Sequence, residues 1–170
     1  MTQDTPTTTY EQFASVASEY GIEPRRVEPN GVAEAVTEML DPPAVGTQLP
    51  WEDATLPDGV TTEPTPADLR AATTGVTAAS LAIAEYGSIV LDADEDGSDS
   101  VSLFNDLHVA VLHEDDIVPD MATAFEQFGE RLRETRESAI IATGPSATAD
   151  MGALVNGAHG PKQVEVIVVS

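Results

Sequence analysis

Two short segments near the C-terminus hold the residue types from which a binding site is readily built. Thr143-Gly144-Pro145-Ser146 closes an apolar run, Ala139–Ala142, and His159-Gly160-Pro161 precedes a β-branched run, Val164–Val169. A glycine loop beside a strand exposes backbone N–H groups that can hold a phosphate or carboxylate. With only seven lysines and arginines in the chain, main-chain donors would have to lead in such a site. Neither segment is a catalytic signature. The pattern G-x-S-x-G fails at Thr148, and no Ser or Thr follows Lys162 as a Walker loop requires. Two ordinary tight turns are the alternative reading.

Other residues invite chemistry less strongly. Glu85, beside the Gly87 break, is a candidate general base or nucleophile, weighed against an ordinary surface role among thirty acidic residues. His108, His113 and His159 show no metal-ligand spacing such as H-E-x-x-H. Asp92, Asp94, Asp96 and Gly97 match the opening of a calcium loop, but Leu103 stands where its closing glutamate belongs. A solvated acidic turn over Asp92–Ser100 is the expected form, and no metal site is expected.

Both apolar runs have strand length and lack alternation, so both are expected to be covered on two faces in a mostly parallel sheet. In open α/β sheets ligands lie beyond the carboxyl ends of the strands. The Thr143–Ser146 loop is expected at such an end. Further strands are expected at Ala44–Thr47, near Val60, and at Ser88–Leu91, Val101–Phe104 and Leu107–Leu112. Ala78–Ala84 reads equally as helix or strand.

Helices are expected at Tyr10–Tyr20, at Gly31–Leu40 and after the capping sequence Thr65-Pro66-Ala67-Asp68. Another is expected within Asp116–Arg136, where Met121, Ala124, Phe125, Phe128 and Leu132 form an apolar stripe. On that reading Phe125→Ala costs roughly 3–5 kcal/mol. Trp51 is expected to plug the core edge. Alternating strands and helices give an α/β class. Residues 1–9 read as a frayed tail and 10–170 as one domain.

Composition narrows the function classes. Thirty acidic against seven basic residues give a net charge of −23, with Lys162 the only lysine. Such a surface repels nucleic acid and anionic membranes. At 1 M salt the Debye length is about 3 Å and this self-repulsion largely vanishes, which fits a salt-accumulating, haloarchaeal-type cytoplasm. No signal-peptide pattern and no membrane-spanning run is present. Cysteine is absent, so the chain offers no thiolate and no ordinary iron–sulfur ligands.

Four stretches in order, TTGVTAASLAIAEYGSIVL, NDLHVAVLHEDDIVPDM, ATGPSATAD and HGPKQVEVIVV, resemble the LUD domain, the lactate-utilization protein C family. The resemblance spans about Asp68–Val169. It implies a three-layer α/β fold with a mostly parallel sheet, similar to the NagB/RpiA/CoA-transferase group. It also implies a part in oxidising L-lactate beside iron–sulfur partner subunits, with no cofactor bound by this chain. The chain departs from the family pattern at Tyr86, where Thr is usual, and at Ala147, where Arg is usual. Met151-Gly152 replaces Ile-Glu, and Gly97-Ser98-Asp99 replaces Gly-Arg-Leu. Two arginines suited to an anion are thereby lost.

Taken together, the candidate ligand-binding residues are Thr74, Gly75, Gly87, Ser88, His108, Thr143, Gly144, Ser146, Asp150, His159 and Gly160, with Glu85 the catalytic candidate. Three functions are open: an accessory subunit for lactate oxidation, a stand-alone enzyme acting on a sugar phosphate or CoA ester, and a regulator that binds a small anion.

Overall fold

The computed structural model describes residues 8–135, 138–150, 153–157 and 159–170, without the side chains of Asp150 and Ala153. Helix α1 (Thr9–Ser18) begins at a reciprocal capping box. The Thr8 hydroxyl accepts from the Glu11 N–H, and the Glu11 carboxylate accepts from the Thr8 N–H. Only residues 1–7 of the expected tail lie outside the described chain. Strand β1 (Arg25–Val27), helix α2 (Val32–Met39), β2 (Ala44–Gly46) and β3 (Val60–Thr61) follow. Helix α3 (Pro66–Ala71) has the same box between Thr65 and Asp68, as its sequence foretells. Next come β4 (Thr74–Ala78), β5 (Leu81–Ile83) and β6 (Ser88–Ala93), then helix α4 (Ser98–Phe104), β7 (Leu107–His113) and β8 (Ile117–Val118). Helix α5 (Met121–Thr135) leads to β9 (Ser138–Ala142), the hairpin β10 (Ala147–Asp150) and β11 (Ala153–Asn156), and finally β12 (Gln163–Val169).

The central sheet has six strands in the order β1-β12-β7-β4-β2-β3, all parallel. Its middle strands are buried on both faces, which explains their unbroken apolar sequence. Val109, Val111, Ile167 and Val169 face α2 and the partly buried Trp51. Ala110, Leu112, Val164, Val166 and Val168 face α1 and a second sheet of order β8-β5-β6-β9. The far side of that second sheet, with Leu81, Ile83 and Val90, is covered by Ala124 and Phe128 of α5. The result is an α/β fold with a mostly parallel central sheet between two layers, as expected.

Several local expectations are corrected. Ala139–Ala142 is not a doubly covered parallel strand. It pairs antiparallel with β6 at the edge of the second sheet, and Ile141 is exposed. Val101–Phe104 is helical. Asp94 accepts from the Ser98 N–H at 3.0 Å and from its hydroxyl at 2.6 Å, anchoring the first turn of α4. The acidic run is therefore a helix start rather than a hairpin turn. Among the described residues no group of three His, Asp or Glu side chains stands where it could hold a metal ion. The ambiguous segment Ala78–Ala84 resolves into the end of β4 and all of β5.

The α5 stripe is also narrower than expected. Phe128 is 5% exposed but Phe125 is 55% exposed, lying against Phe128 with ring centroids 5.0 Å apart. Phe128→Ala should cost about 3–5 kcal/mol in urea unfolding. Phe125→Ala should cost less than about 1 kcal/mol, as surface changes do. Equal losses would show that both rings are core.

Candidate functional site

Two cavities of similar size lie at opposite ends of the central sheet. The first, about 510 Å³, sits beyond the carboxyl ends of β2 and β4. The chain leaves β2 for β3 on one side and leaves β4 for β7 on the other. This is a topological switch point, where open α/β sheets commonly bind ligands. Its lining is acidic: Asp92, Asp94, Asp96 and Asp116 stand around Arg131, with Trp51 on one wall. Arg131 binds Asp92 at 2.6 Å. Burial raises the Asp116 carboxyl above its usual range, an effect opposed by nearby His113. The His113 ring meets Trp51 edge-on at 4.7 Å, and its Nε2 is buried without a hydrogen-bond partner among the described residues.

The second cavity, about 490 Å³, opens between the two sheets. Here the residues predicted from the glycine loops gather. Thr143, Gly144, Ser146, His159, Gly160 and His108 all line it, with Leu91, Ile140, Ala142 and Val164 supplying apolar walls. Its place corrects the sequence reading. His108 and Val164 are the second residues of β7 and β12, so the hollow lies at the amino ends of the parallel strands. The Thr143–Ser146 loop reaches it because β9 belongs to the other sheet.

Main-chain bonds fix the two loops to each other. The Ser146 N–H donates to Pro161 O at 2.8 Å, and the Gly157 N–H to Ser146 O at 2.8 Å. Gly144 has a φ of +68°, and a Cβ there would crowd the Tyr20 side chain, so glycine suits both the turn and the close approach. A Cβ on Gly160 would press on that of Ser146 at 3.0 Å.

His108 forms the floor. It is 2% exposed, and its Nε2 lies 2.9 Å from the Thr77 hydroxyl. Burial pushes its pKa down to about 4, so the ring is neutral at pH 7 and acts as a hydrogen-bonding group rather than a cation.

The remaining candidates stand elsewhere. Thr74 is fully buried, its hydroxyl donating to Asp41 O and accepting from the Asp41 N–H. Gly75 lets α4 press against β4, since a Cβ would collide with Val101 O and Asn105. Gly87 has a φ of +59° and abuts the backbone of Ala17. Ser88 reaches the cavity only through its 2.6 Å hydroxyl bond to Thr143. The Asp150 side chain lies outside the described residues. Glu85 is exposed and lines neither cavity. Sequence reading missed Tyr20, Leu91 and Ile140, which are ordinary apolar or aromatic residues until the sheets stack. It also missed the first cavity as a whole, although the Asp run and Trp51 were each noted singly.

Fold and cavities together define an α/β domain with its main hollows at the strand ends. Residues 53–169 match the LUD domain family, and the chain belongs to that family. A lactate utilization protein C of Deinococcus radiodurans is 38% identical over 105 residues, covering 61% of this chain and 49% of that protein. One from Bacillus subtilis is 36% identical over 103 residues, covering 58% and 43%. The chain thus spans about half the length of the curated relatives it matches. In three dimensions it is similar to the 1.70 Å crystal structure of a DUF162 family protein from Deinococcus radiodurans. The TM-score is 0.74 at 26% identity, over 95% of this chain and 96% of that one.

The buried histidine gives a pH prediction. Its folded pKa of about 4 lies below the unaltered 6.5. Between those values the unfolded chain takes up a proton that the folded chain refuses, so stability falls as pH drops through the window. The full loss is roughly 3 kcal/mol. His108→Gln should flatten this part of the stability profile in urea titrations between pH 7 and 4. An unchanged profile would remove His108 as its source.

Proposed function

We propose that this chain is an accessory subunit of a lactate-oxidising system, working in the cytoplasm of a salt-accumulating cell. Iron–sulfur partner subunits carry the electrons, and this chain contributes a ligand site that takes a small anion in the hollow between its sheets. The observation that carries the reading is a contrast in charge. Four aspartates line the first cavity, whereas among the described residues no Asp or Glu lines the second. In a chain with thirty acidic residues, the second is where an anion meets no close repulsion.

The shared name of the relatives, lactate utilization protein C, supports the process. The missing cysteines support the division of labour, because ordinary iron–sulfur clusters need thiolate ligands. The distance of Glu85 from both cavities favours a binding role over catalysis. No helix among the described residues is long and apolar enough to cross a membrane.

Purification of the tagged chain from its own host grown on lactate should bring down iron-containing partners and lactate-dependent dye reduction. Recovery of the chain alone, without iron or such activity, would count against the accessory role. The charge adds an independent expectation. The melting temperature should climb as KCl rises from about 0.1 to 2 M, because the Debye length shrinks below about 3 Å. A flat or falling curve would reject the adaptation to salt.

A further inference from the structure

The hollow between the sheets is oversized for a three-carbon acid. At about 490 Å³ it lies in the range that accepts a whole organic molecule. Its polarity is graded. Its apolar wall is made by Ile140 and Ala142, which are partly buried, with Leu91 and Val164 packed behind them. The polar group on the floor, His108, has its Nε2 committed to Thr77. Ser146 and His159 stand at the loop rim. No Asp, Glu, Lys or Arg is among its described lining residues.

Each feature restricts the ligand. The apolar depth offers no counter-charge, so a charged head must stay at the rim, where water reaches it. A cationic head would find no carboxylate there. An acceptor-rich head would find the Ser146 hydroxyl and the His159 ring as donors.

We infer that this hollow binds an amphipathic monocarboxylate larger than lactate, its alkyl body against Ile140 and Ala142 and its carboxylate at the rim beside Ser146 and His159. The inference rests on the reading of this hollow as a ligand site, and not on lactate oxidation. The body supplies most of the affinity, so each added methylene should tighten binding about fourfold until the depth is filled. The carboxylate approaches a chain of net charge −23. Salt screens that repulsion, so affinity should rise with salt, the reverse of binding driven by charge attraction.

Calorimetric titration of the full chain in about 2 M KCl, where long-range repulsion is screened, tests this with lactate, with straight-chain carboxylates from propanoate to octanoate, and with octylammonium. We expect Kd to fall about fourfold per methylene from butanoate onward. Octylammonium should bind at least about tenfold more weakly, for want of a carboxylate partner. Octanoate should bind more weakly in about 0.2 M KCl, where screening is poorer. Ala142→Phe, which fills the hollow, should abolish octanoate binding. Ser146→Ala removes one rim donor and should weaken it several-fold. If Ala142→Phe does not fold, Ser146→Ala decides.

Affinity independent of chain length, or equal for the ammonium, overturns the inference. So does octanoate binding that persists in the variants, which would place the ligand on exposed apolar side chains such as Phe104 or Leu154. Lactate binding without longer acids would sink this inference and leave the proposed function standing. Chain-length-dependent binding by a chain that has no iron–sulfur partner would do the opposite.

Discussion

Strand β7 is paired on both edges and covered on both faces, and the rest of the molecule is arranged around that confinement. Its register sets Gly75 and Val164 on either side of His108. Alternate residues then feed two different cores. Ala110 and Leu112 serve the layer with the second sheet, and Leu107, Val109 and Val111 the layer with α2. A polar side chain in such a strand has to be satisfied by a neighbour. Thr77, on the adjoining strand, does this for His108. The same crowding leaves no room for a side chain at Gly75, where α4 lies directly on the sheet. Two residues that look like site candidates in the sequence are thus first of all conditions for the sheet to form.

Because β7 runs the full depth of the sheet, its two ends open onto different environments. Past His113 the chain enters the acidic region of Glu114, Asp115 and Asp116, next to the cavity that holds Asp92, Asp94 and Arg131. At Leu107 and His108 it opens on the other hollow, whose described lining residues include no Asp or Glu. Several of the acidic groups near the His113 end are held locally. Asp94 anchors α4, Asp92 binds Arg131, and Glu114 binds Arg26, which in turn lies over the Tyr10 ring. The two ends of β7 thus differ in charge: four aspartates line one cavity, and the described lining of the other holds none.

The sequence spoke most clearly where local chemistry decides. The Thr65 capping box, the existence of α1 and α2, and strands β7 and β12 are readable from their own residues, whereas the Thr8 capping box that starts α1 falls in what reads as a frayed tail. It misled where composition is silent about neighbours. Ala139–Ala142 and Val164–Val169 are alike in apolar content, yet one is an antiparallel edge and the other lies next to the sheet's centre. Val-Ser-Leu-Phe at 101–104 is too short for periodicity to separate helix from strand. The spacing of Asp94 and Ser98 was the overlooked signal. Phe125 and Phe128 belong to one helical stripe, but only packing reveals which ring sits at its margin. At the candidate site, the two glycine loops announced themselves as one site, and Gly144 and Gly160 do line one cavity; the bond that ties the loops together was not legible. Ser146 and Pro161 are joined by a hydrogen bond between segments of different sheets, a relation that no local pattern encodes.

The departure at Ala147 bears on what the hollow is for. Where the family pattern places an arginine after Gly-Pro-Ser, this chain lines the cavity with a methyl group. A guanidinium there would hold a phosphate or carboxylate by paired hydrogen bonds. Without it, an anion in the hollow is held by neutral side-chain and main-chain donors rather than by a guanidinium, and the neutral His108 adds no charge. What remains is apolar surface, fixed turns and a few neutral donors. Binding energy in such a recess must come mainly from the body of a ligand rather than from its charge. A high-salt interior, which screens charge attraction as well as repulsion, is the setting in which that exchange costs least.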